Sequence, residues 1–568
     1  MRIKDAVVLG FATSQFVAAG PASSSKPTKK GSLSPISAQD WIKAASPGWN
    51  AGNTLDATPN EGSWNNPPLQ GSTLDHVKAA GFKSVRIPVT YTEHFTTGSP
   101  SWTINSTWLQ RVSDVIDMAT SRGLYVITNM HHDSWGWVDV SKPDANQTMI
   151  QEKFYAAWLQ IGKTLHCKSS LVAFEPINEP PGNNAADGAN LNKLNGLFIK
   201  ALADSGNSKR VVTLSGLGMS IDKIQWFKAP ENMTNPWAFQ FHFYSPCKGK
   251  TVWGSDADKA AIDADLLSVR GNFTDVPLLM GEFSASQLNC EAAARWKWYD
   301  YVVRKSTALG ITTMLWDNGL DNLARESGEW RDHIAVDIIT STVKGVNNSL
   351  ADSTVDASAT SQTSSAYIFN KVGSALADQT LSFLLNGNTF KSLAVGGVAL
   401  RSGEDYTISG SSVTFKGGFL TNYLSANAVP GTKANVTVEF SAGAPSQVEL
   451  VQWDVPALAS YSSAAKSVPT GSDLWVPIVW KGLHKVAAVA ISTSDGAYLV
   501  DDWTKWLPPL QQGRGTFNSQ WNFDFDHFTI TSQAVSAVIA AGKNATFTIE
   551  FYPRRAGNEN SVEYTLTV

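Results

Sequence analysis

Two glutamates, each closing a short apolar run, are the residues on which chemistry can be built. Leu171-Val172-Ala173-Phe174-Glu175-Pro176-Ile177-Asn178-Glu179-Pro180 ends in amide, carboxylate and proline, and Val276-Pro277-Leu278-Leu279-Met280-Gly281-Glu282-Phe283 closes on a second carboxylate. A buried parallel strand reads as a continuous apolar run, and Pro180 stops the first one from continuing. In a barrel of alternating strands and helices, reactive groups sit at the C-terminal strand ends. Two carboxylates there can supply the proton donor and the nucleophile that cleave a glycosidic bond. Either glutamate alone reads as readily as a solvated loop residue or a salt-bridge partner. The matched pair, about a hundred residues apart, favours catalysis.

The elements that must hold this pair follow from the pattern between about Pro47 and Val346. Strand candidates are Gly48–Asn53, Phe82–Val89, Leu124–Met130, Leu171–Ile177, Arg210–Ser215, Trp237–Phe243, Pro277–Phe283 and Ile311–Trp316. Helical stretches lie between them; Leu74–Ala80 and Trp108–Arg122 both stop at glycine, Gly81 and Gly123. Eight such units in about 300 residues fit an α/β fold, the (β/α)8 or TIM barrel. An open doubly wound sheet is the alternative, but Gly52-Asn53-Thr54 does not look like its phosphate loop. Polar residues recur at the strand ends: Asn53 and Asp56, Arg86, His131-His132-Asp133, His242 and Tyr244, and Trp316-Asp317-Asn318. One barrel mouth would gather them. Bland readings exist for each. Arg86 alone reads as a structural ion pair. His131, His132 and Asp133 could be zinc ligands, but no His-Glu-x-x-His accompanies them. Tyr244 and Trp316 could be core. No Gly-x-Ser-x-Gly elbow points to a serine hydrolase.

Composition narrows the ligand. The chain has 568 residues, 43% hydrophobic and 17% charged, with a formal net charge of −4. Its length allows three or four domains. No basic surface awaits nucleic acid or an anionic membrane. The 21 tryptophans offer flat apolar rings suited to a neutral ring such as a sugar. Residues 1–19 read as a secretory signal: Arg2 and Lys4 precede the apolar stretch Ala6 to Ala19. Residues 20–36 read as a flexible Ser/Lys/Pro segment. Sequons begin at Asn105, Asn146, Asn232, Asn272, Asn347, Asn435 and Asn544 and permit glycosylation. The three cysteines are neither a disulfide scaffold nor a zinc pattern. Cys247 and Cys290 each follow the end of one of two neighbouring strands, which predicts a disulfide between them and a free Cys167.

The pattern changes near residue 350, so 37–350 is read as the catalytic domain. Ala351 to Ser365 is a Ser/Thr-rich edge. Short alternating runs follow: Thr380–Leu385, Phe390–Val395, Ser412–Phe415 and Asn435–Phe440. They predict a small β-sandwich over 351–456. Residues 457–568 read as a second one, with strands Leu474–Trp480, Val486–Ile491, Thr546–Phe551 and Val562–Val568. Trp503 and Trp521 have polar neighbours, which predicts that both are exposed; the bland reading is that they are core.

These residues, taken in order, resemble glycoside hydrolase family 5, most closely its subfamily 4. The resemblance rests on Gly48-Trp49-Asn50-Ala51-Gly52-Asn53-Thr54-Leu55-Asp56, Arg86-Ile87-Pro88-Val89, Asn129-Met130-His131-His132, Asn178-Glu179-Pro180, His242-x-Tyr244, Gly281-Glu282-Phe283 and Leu315-Trp316-Asp317-Asn318-Gly319. Ala51 and Met130 depart from the commonest residues there and touch none of the chemistry. The resemblance implies a retaining endo-β-1,4-glucanase that uses no metal or other cofactor. Glu179 would be the acid/base and Glu282 the nucleophile. Asn178 would hold the sugar 2-hydroxyl, Arg86 and Tyr244 would orient Glu282 and keep it ionised, and His131 and His242 would bind hydroxyls. Trp316 would floor the cleavage subsite, with Asn53 and His132 as further sugar contacts. Leu384-Leu385-Asn386-Gly387-Asn388 and Gly403–Gly410 look like the immunoglobulin-like X-module of bacterial cellulases. Asp501-Asp502-Trp503 and the strand from Thr546 look like carbohydrate-binding module family 46. The expected partner is a β-glucan, with the protein a secreted monomer and its last domain folded back so that Trp503 or Trp521 stacks on substrate. Rival expectations are a β-mannanase, a catalytically silent glycan-binding protein and a structural cell-wall protein.

Overall fold

The computed structural model describes residues 33–244, 252–288, 290–504 and 513–568. The proposed signal and most of the segment after it therefore lie outside the described residues.

Eight parallel strands close into a barrel in sequence order. They are β1 (Gly48–Asn50), β2 (Ser84–Ile87), β3 (Tyr125–Asn129), β4 (Val172–Glu175), β5 (Val212–Leu214), β6 (Trp237–Tyr244), β7 (Leu278–Ser284) and β8 (Ile311–Leu315). Each falls within or beside the run predicted for it. The runs were apolar because both strand faces are covered: β2, β4, β7 and β8 are buried at every position. Helices start where a side chain can cap the free amides. Asn105 caps α3 (Ser106–Thr120), Asn184 caps α5 (Ala185–Asp204), and Ser255 with Asp258 forms a capping box on α6 (Asp256–Asn272).

One element went unforeseen. Helix α1 (Ala38–Ala44) lies across the N-terminal end of the barrel. Its Trp41 and Ile42 pack with Ile127, Ala173, Ala238, Leu279 and Met314, one residue from each of five strands. Thr312 donates to the Ile42 carbonyl at 2.7 Å and Ser84 to the Ala45 carbonyl at 2.5 Å. That end is thus plugged, which leaves the C-terminal face for chemistry.

Two all-β domains follow. The first pairs a four-stranded sheet built on Gln379–Leu384 and Ser412–Phe415 with a five-stranded sheet built on Gly431–Phe440 and Ser446–Trp453. Its core runs on into the barrel's; the last domain has a separate core. Buried Asn348 joins barrel to sandwich through Asp300 and Thr342 on one side and the Ala444 amide on the other. The Ser/Thr-rich edge is a clasped joint. Arg514 donates to the carbonyls of Ala357 and Ala359, and Arg554 donates to Ala359.

The last domain packs two four-stranded sheets. It also holds a helix, Ser532–Ala541, where only strands were expected. Thr531 caps its start and Gly542, at φ 64°, ends it in the left-handed conformation glycine tolerates. Ala534, Val535 and Val538 are its buried stripe. Trp521 belongs to this core at 3% exposure, its indole N–H donating to the Gly515 carbonyl at 3.0 Å. The expectation that Trp521 stacks on substrate is therefore wrong. Its polar neighbours Asn518, Ser519 and Gln520 form a turn that folds the indole inward. Trp503 is 49% exposed, as expected. Cys290 is disulfide-bonded and Cys167 is free. Cys247, the partner expected for Cys290, lies outside the described residues.

Candidate active site

The C-terminal ends of the strands bring the predicted residues to one cleft. Arg86, from β2, is fully buried. It presents no surface to a substrate and acts only through its neighbours. Its guanidinium instead organises four neighbours. Nε and Nη2 grip Glu175 at 2.7 and 2.6 Å. Nη1 reaches Glu282 at 2.5 Å and Asn50 at 3.0 Å. Nη2 also donates to the Asn178 side-chain oxygen at 2.8 Å, which leaves the Asn178 amide nitrogen as the donor end.

Glu282 sits at an irregularity in β7. The register shifts against both neighbours, between Phe241 and His242 on β6 and between Met280 and Phe283 across β7. Such a bulge re-aims a side chain. Gly281 makes it possible: a Cβ there would stand 2.4 Å from the Gln240 amide. The tyrosine hydroxyl of Tyr244 donates to Glu282 as well. Glu179 reaches the cleft from the loop after β4 at φ 37°, a backbone conformation that costs a non-glycine residue about 1–3 kcal/mol. His242 lies between the two carboxyls, its Nδ1 2.6 Å from Glu179 and 3.5 Å from Glu282. One oxygen of Glu179, one of Glu282 and a ring nitrogen of His242 lie within 4.8 Å of one another.

The electrostatics differ from expectation. Burial pushes the Glu282 carboxyl above its usual range, and nearby Glu179 adds to this, against the pull of His242, Arg86 and Tyr244. Glu179 is held below its usual range: burial would raise it, but the His242 hydrogen bond and the charges of His242 and Arg86 win. Arg86 was expected to keep Glu282 ionised. Most of its hydrogen bonding goes to Glu175 instead, which stays low although burial opposes this. Burial, with the Glu282 charge, drives the Tyr244 hydroxyl well above its usual value, so it remains a donor.

His131 is buried and neutral, its pKa driven well down by burial and by the Arg86 charge. The Asn129 amide, whose oxygen accepts from the Val89 N–H, donates to His131 Nδ1 at 3.0 Å, so Nε2 carries the proton. Its ring stacks on Trp316 at 5.9 Å and 6°. Trp316 itself leans over Gly52, where a Cβ would meet the indole at 2.6 Å. Asp56 fixes the first loop through the amides of Asn53 and Thr54 and lies 3.3 Å from His132 Nε2. Asn53 bonds Asn65 at 2.8 Å.

Four residues escaped sequence reasoning. Glu175 and Gln240 hold the buried network, with Gln240 donating to Glu175 at 2.9 Å. A carboxylate inside the apolar run 171–177 was the available signal for Glu175. Trp64 and Trp135, 40% and 48% exposed, flank His132 at ring distances of 5.3 and 4.9 Å. Nothing in the turn-rich sequence around Trp64 marked it. Together with Trp316 they give the cleft an aromatic wall.

Comparison with known proteins agrees with this geometry. Residues 49–322 match the model of the cellulase family, glycosyl hydrolase family 5, and residues 362–450 match carbohydrate binding domain X2. Endoglucanase B of Paenibacillus lautus is 28% identical over 83% of this chain and 84% of its own length. Endoglucanase B of Clostridium cellulovorans is 32% identical over 51% of this chain and 70% of its own. A tri-modular subfamily 4 endo-β-1,4-glucanase from Bacillus licheniformis, solved with cellotetraose, superposes with a TM-score of 0.80 at 30% identity, covering 94% of this chain and all of the other. The chain belongs to glycoside hydrolase family 5, as a tri-modular endoglucanase.

Proposed function

We propose that the protein is a secreted endo-β-1,4-glucanase that cleaves cellulose-type, mixed-linkage or xyloglucan β-glucans with retention of configuration. The observation that carries this reading is the short gap between Glu179 and Glu282, one oxygen of each carboxyl lying within 4.8 Å of one of the other. Retaining enzymes hold their carboxyls roughly 5–5.5 Å apart, whereas inverting ones need roughly 6.5–9.5 Å to admit a water. The bound cellotetraose of the Bacillus licheniformis relative supports a β-1,4-glucan as substrate, and the apolar stretch Ala6–Ala19 supports secretion.

Glu282 attacks the anomeric carbon, the C–O bond to the leaving sugar breaks, and Glu179 gives that oxygen its proton. Water, deprotonated by Glu179, then releases the sugar from Glu282. In the free cleft burial raises the Glu282 carboxyl while His242 and Arg86 lower that of Glu179. The two carboxyls titrate as a pair, and His242 bridges them. An electron-poor anomeric carbon against Glu282 stabilises its anion, and that negative charge favours the protonated form of Glu179. Asn178, oriented by Arg86, offers its amide N–H groups to the sugar 2-hydroxyl. His131 Nε2–H and His132 serve neighbouring hydroxyls, with Asn53 beside them. Trp316, Trp64 and Trp135 present ring faces. Trp503 extends the surface from a last domain that resembles carbohydrate-binding module family 46.

A 2-deoxy-2-fluoro cello-oligosaccharide with an activated leaving group tests the assignment. Mass spectrometry should find the glycosyl ester on Glu282, and Glu282→Gln should fold normally without turning over. An adduct on another residue would overturn the roles of both glutamates. Parallel assays on cellulose derivatives, mixed-linkage glucan, xyloglucan and mannan test the substrate; mannan as the best substrate would refute the glucan reading.

A further inference from the structure

The loop that leaves β7 carries the nucleophile's strand out of the barrel. It starts at Ala285, three residues after Glu282, and runs to helix α7 (Ala292–Ala308). Its two ends are held by the barrel and the middle domain. The Ala285 carbonyl accepts from Arg295 at 2.7 Å, and the Ala285 amide donates to the Tyr299 hydroxyl at 3.0 Å. Ser286 donates to Asp321 at 2.5 Å. Glu291, the cap of α7, accepts from Ser364 of the middle domain at 2.5 Å. Between these anchors, Leu288 stands 42% exposed.

The centre of the loop is reached from the last domain. Lys485 lies in the short connection between strands Leu474–Val479 and Val486–Thr493. Its ammonium donates to the Gln287 carbonyl at 2.6 Å and to the Cys290 carbonyl. It does so at the edge of a cavity of about 250 Å³ where all three domains meet, walled by Arg295, Tyr367, Glu449 and His484 among others. A charged donor on a backbone carbonyl makes a stronger bond than a neutral one. Two such bonds hold the carbonyls of Gln287 and Cys290 in place. The cost of burying the ammonium is visible: burial pushes Lys485 down to about 8. A surface lysine joined to the loop for solubility alone would carry no such cost.

We propose that Lys485 is a positioning residue for the reaction: through the Gln287 and Cys290 carbonyls it holds the β7 exit loop, and so sets the placement of Glu282 from the last domain. The domain then does more than add glycan-binding surface, because the nucleophile's strand is incompletely braced without it. The proposal rests on the reading of Glu282 as nucleophile. Arg514 also joins the last domain to the rest, through Ala357 and Ala359, but touches no part of this loop. It separates docking from bracing.

The experiment uses the full chain and a soluble chromogenic cellotetraoside short enough to stay in the barrel. Lys485→Met should lower kcat by about three- to thirtyfold, below the roughly hundredfold cost of a 1 Å misplacement, with KM within about twofold. Arg514→Met should leave kcat unchanged. Hydrogen exchange at residues 285–288 should speed up in Lys485→Met while the amides of α7 keep their protection. If Lys485→Met does not fold, Lys485→Gln, too short to reach both carbonyls, is expected to show the same loss. An unchanged kcat, or an equal loss in Arg514→Met, would overturn the proposal. The exchange measurement does not depend on the chemistry, so faster exchange with a fluoroglycoside adduct elsewhere would refute the nucleophile and leave the brace.

Discussion

Arg86 binds Glu175 through two nitrogens and Glu282 through one, so the nucleophile candidate is the lesser partner of the cation that serves it. Glu175 is the counter-ion that lets a guanidinium exist, fully buried, beneath the cleft. Removing one partner of such a pair leaves an uncompensated charge.

Glu175→Gln is therefore expected to destabilise the fold by about 3–5 kcal/mol. Its effect on pH dependence has a defined sign. Glu175 raises Glu179 by repulsion and draws Arg86 from Glu282. Without its charge both catalytic carboxyls fall, and the acid limb of the kcat profile moves to lower pH. Denaturant titration and a pH–rate profile check the two halves separately.

The tryptophans of the last domain divide by burial. Trp521→Ala should lower that domain's stability by about 3–5 kcal/mol, the usual cost of emptying a buried aromatic site. Trp503→Ala should leave melting unchanged. It should reduce activity on long or branched glucans and spare oligosaccharides that never leave the barrel. Calorimetry and paired substrate assays distinguish the two. Equal losses on short and long substrates would count against a stacking role for Trp503.

Lys485 makes stability depend on pH. Its folded pKa of about 8 lies below its ordinary value of 10.5, so between these the unfolded chain binds more protons. Stability from this group thus rises with pH across that window, and its penalty is full below about pH 8. Arg295, Glu291, Glu449 and Asp332 face it and set the depth of the effect. Unfolding free energies of wild type and Lys485→Met, compared at about pH 7.5 and about pH 10 on either side of most of that window, should show wild type gaining on the variant at the higher pH. A constant difference would contradict the burial of this charge.

The barrel was legible because nearly every strand position is buried on both faces, so most of each strand is written in apolar residues. Helix α1 was not, because a seven-residue segment carries too few turns to show a period. Ser532–Ala541 was missed for another reason: its apolar residues are small and β-branched, and composition alone reads them as strand. Glu179 and Glu282 could be found because a carboxylate ending an apolar strand is conspicuous. Glu175 could not be given a role, since its meaning depends on Arg86 arriving from a strand 89 positions away. Trp64 and Trp135 reach the cleft on loops whose paths are set by tertiary contacts such as Asp133 with Tyr91, Thr92 and Trp137. Trp521 shows the limit of local polarity as a guide, because a turn of polar residues can point an indole inward.

Double displacement by Glu179 and Glu282 is tested most directly by proton NMR of the first product released from a cello-oligosaccharide. Two inversions at one carbon predict that the new reducing end appears first as the β-anomer and only later mutarotates. An α-anomer appearing first would mean a single displacement by water, and would contradict the roles of both glutamates.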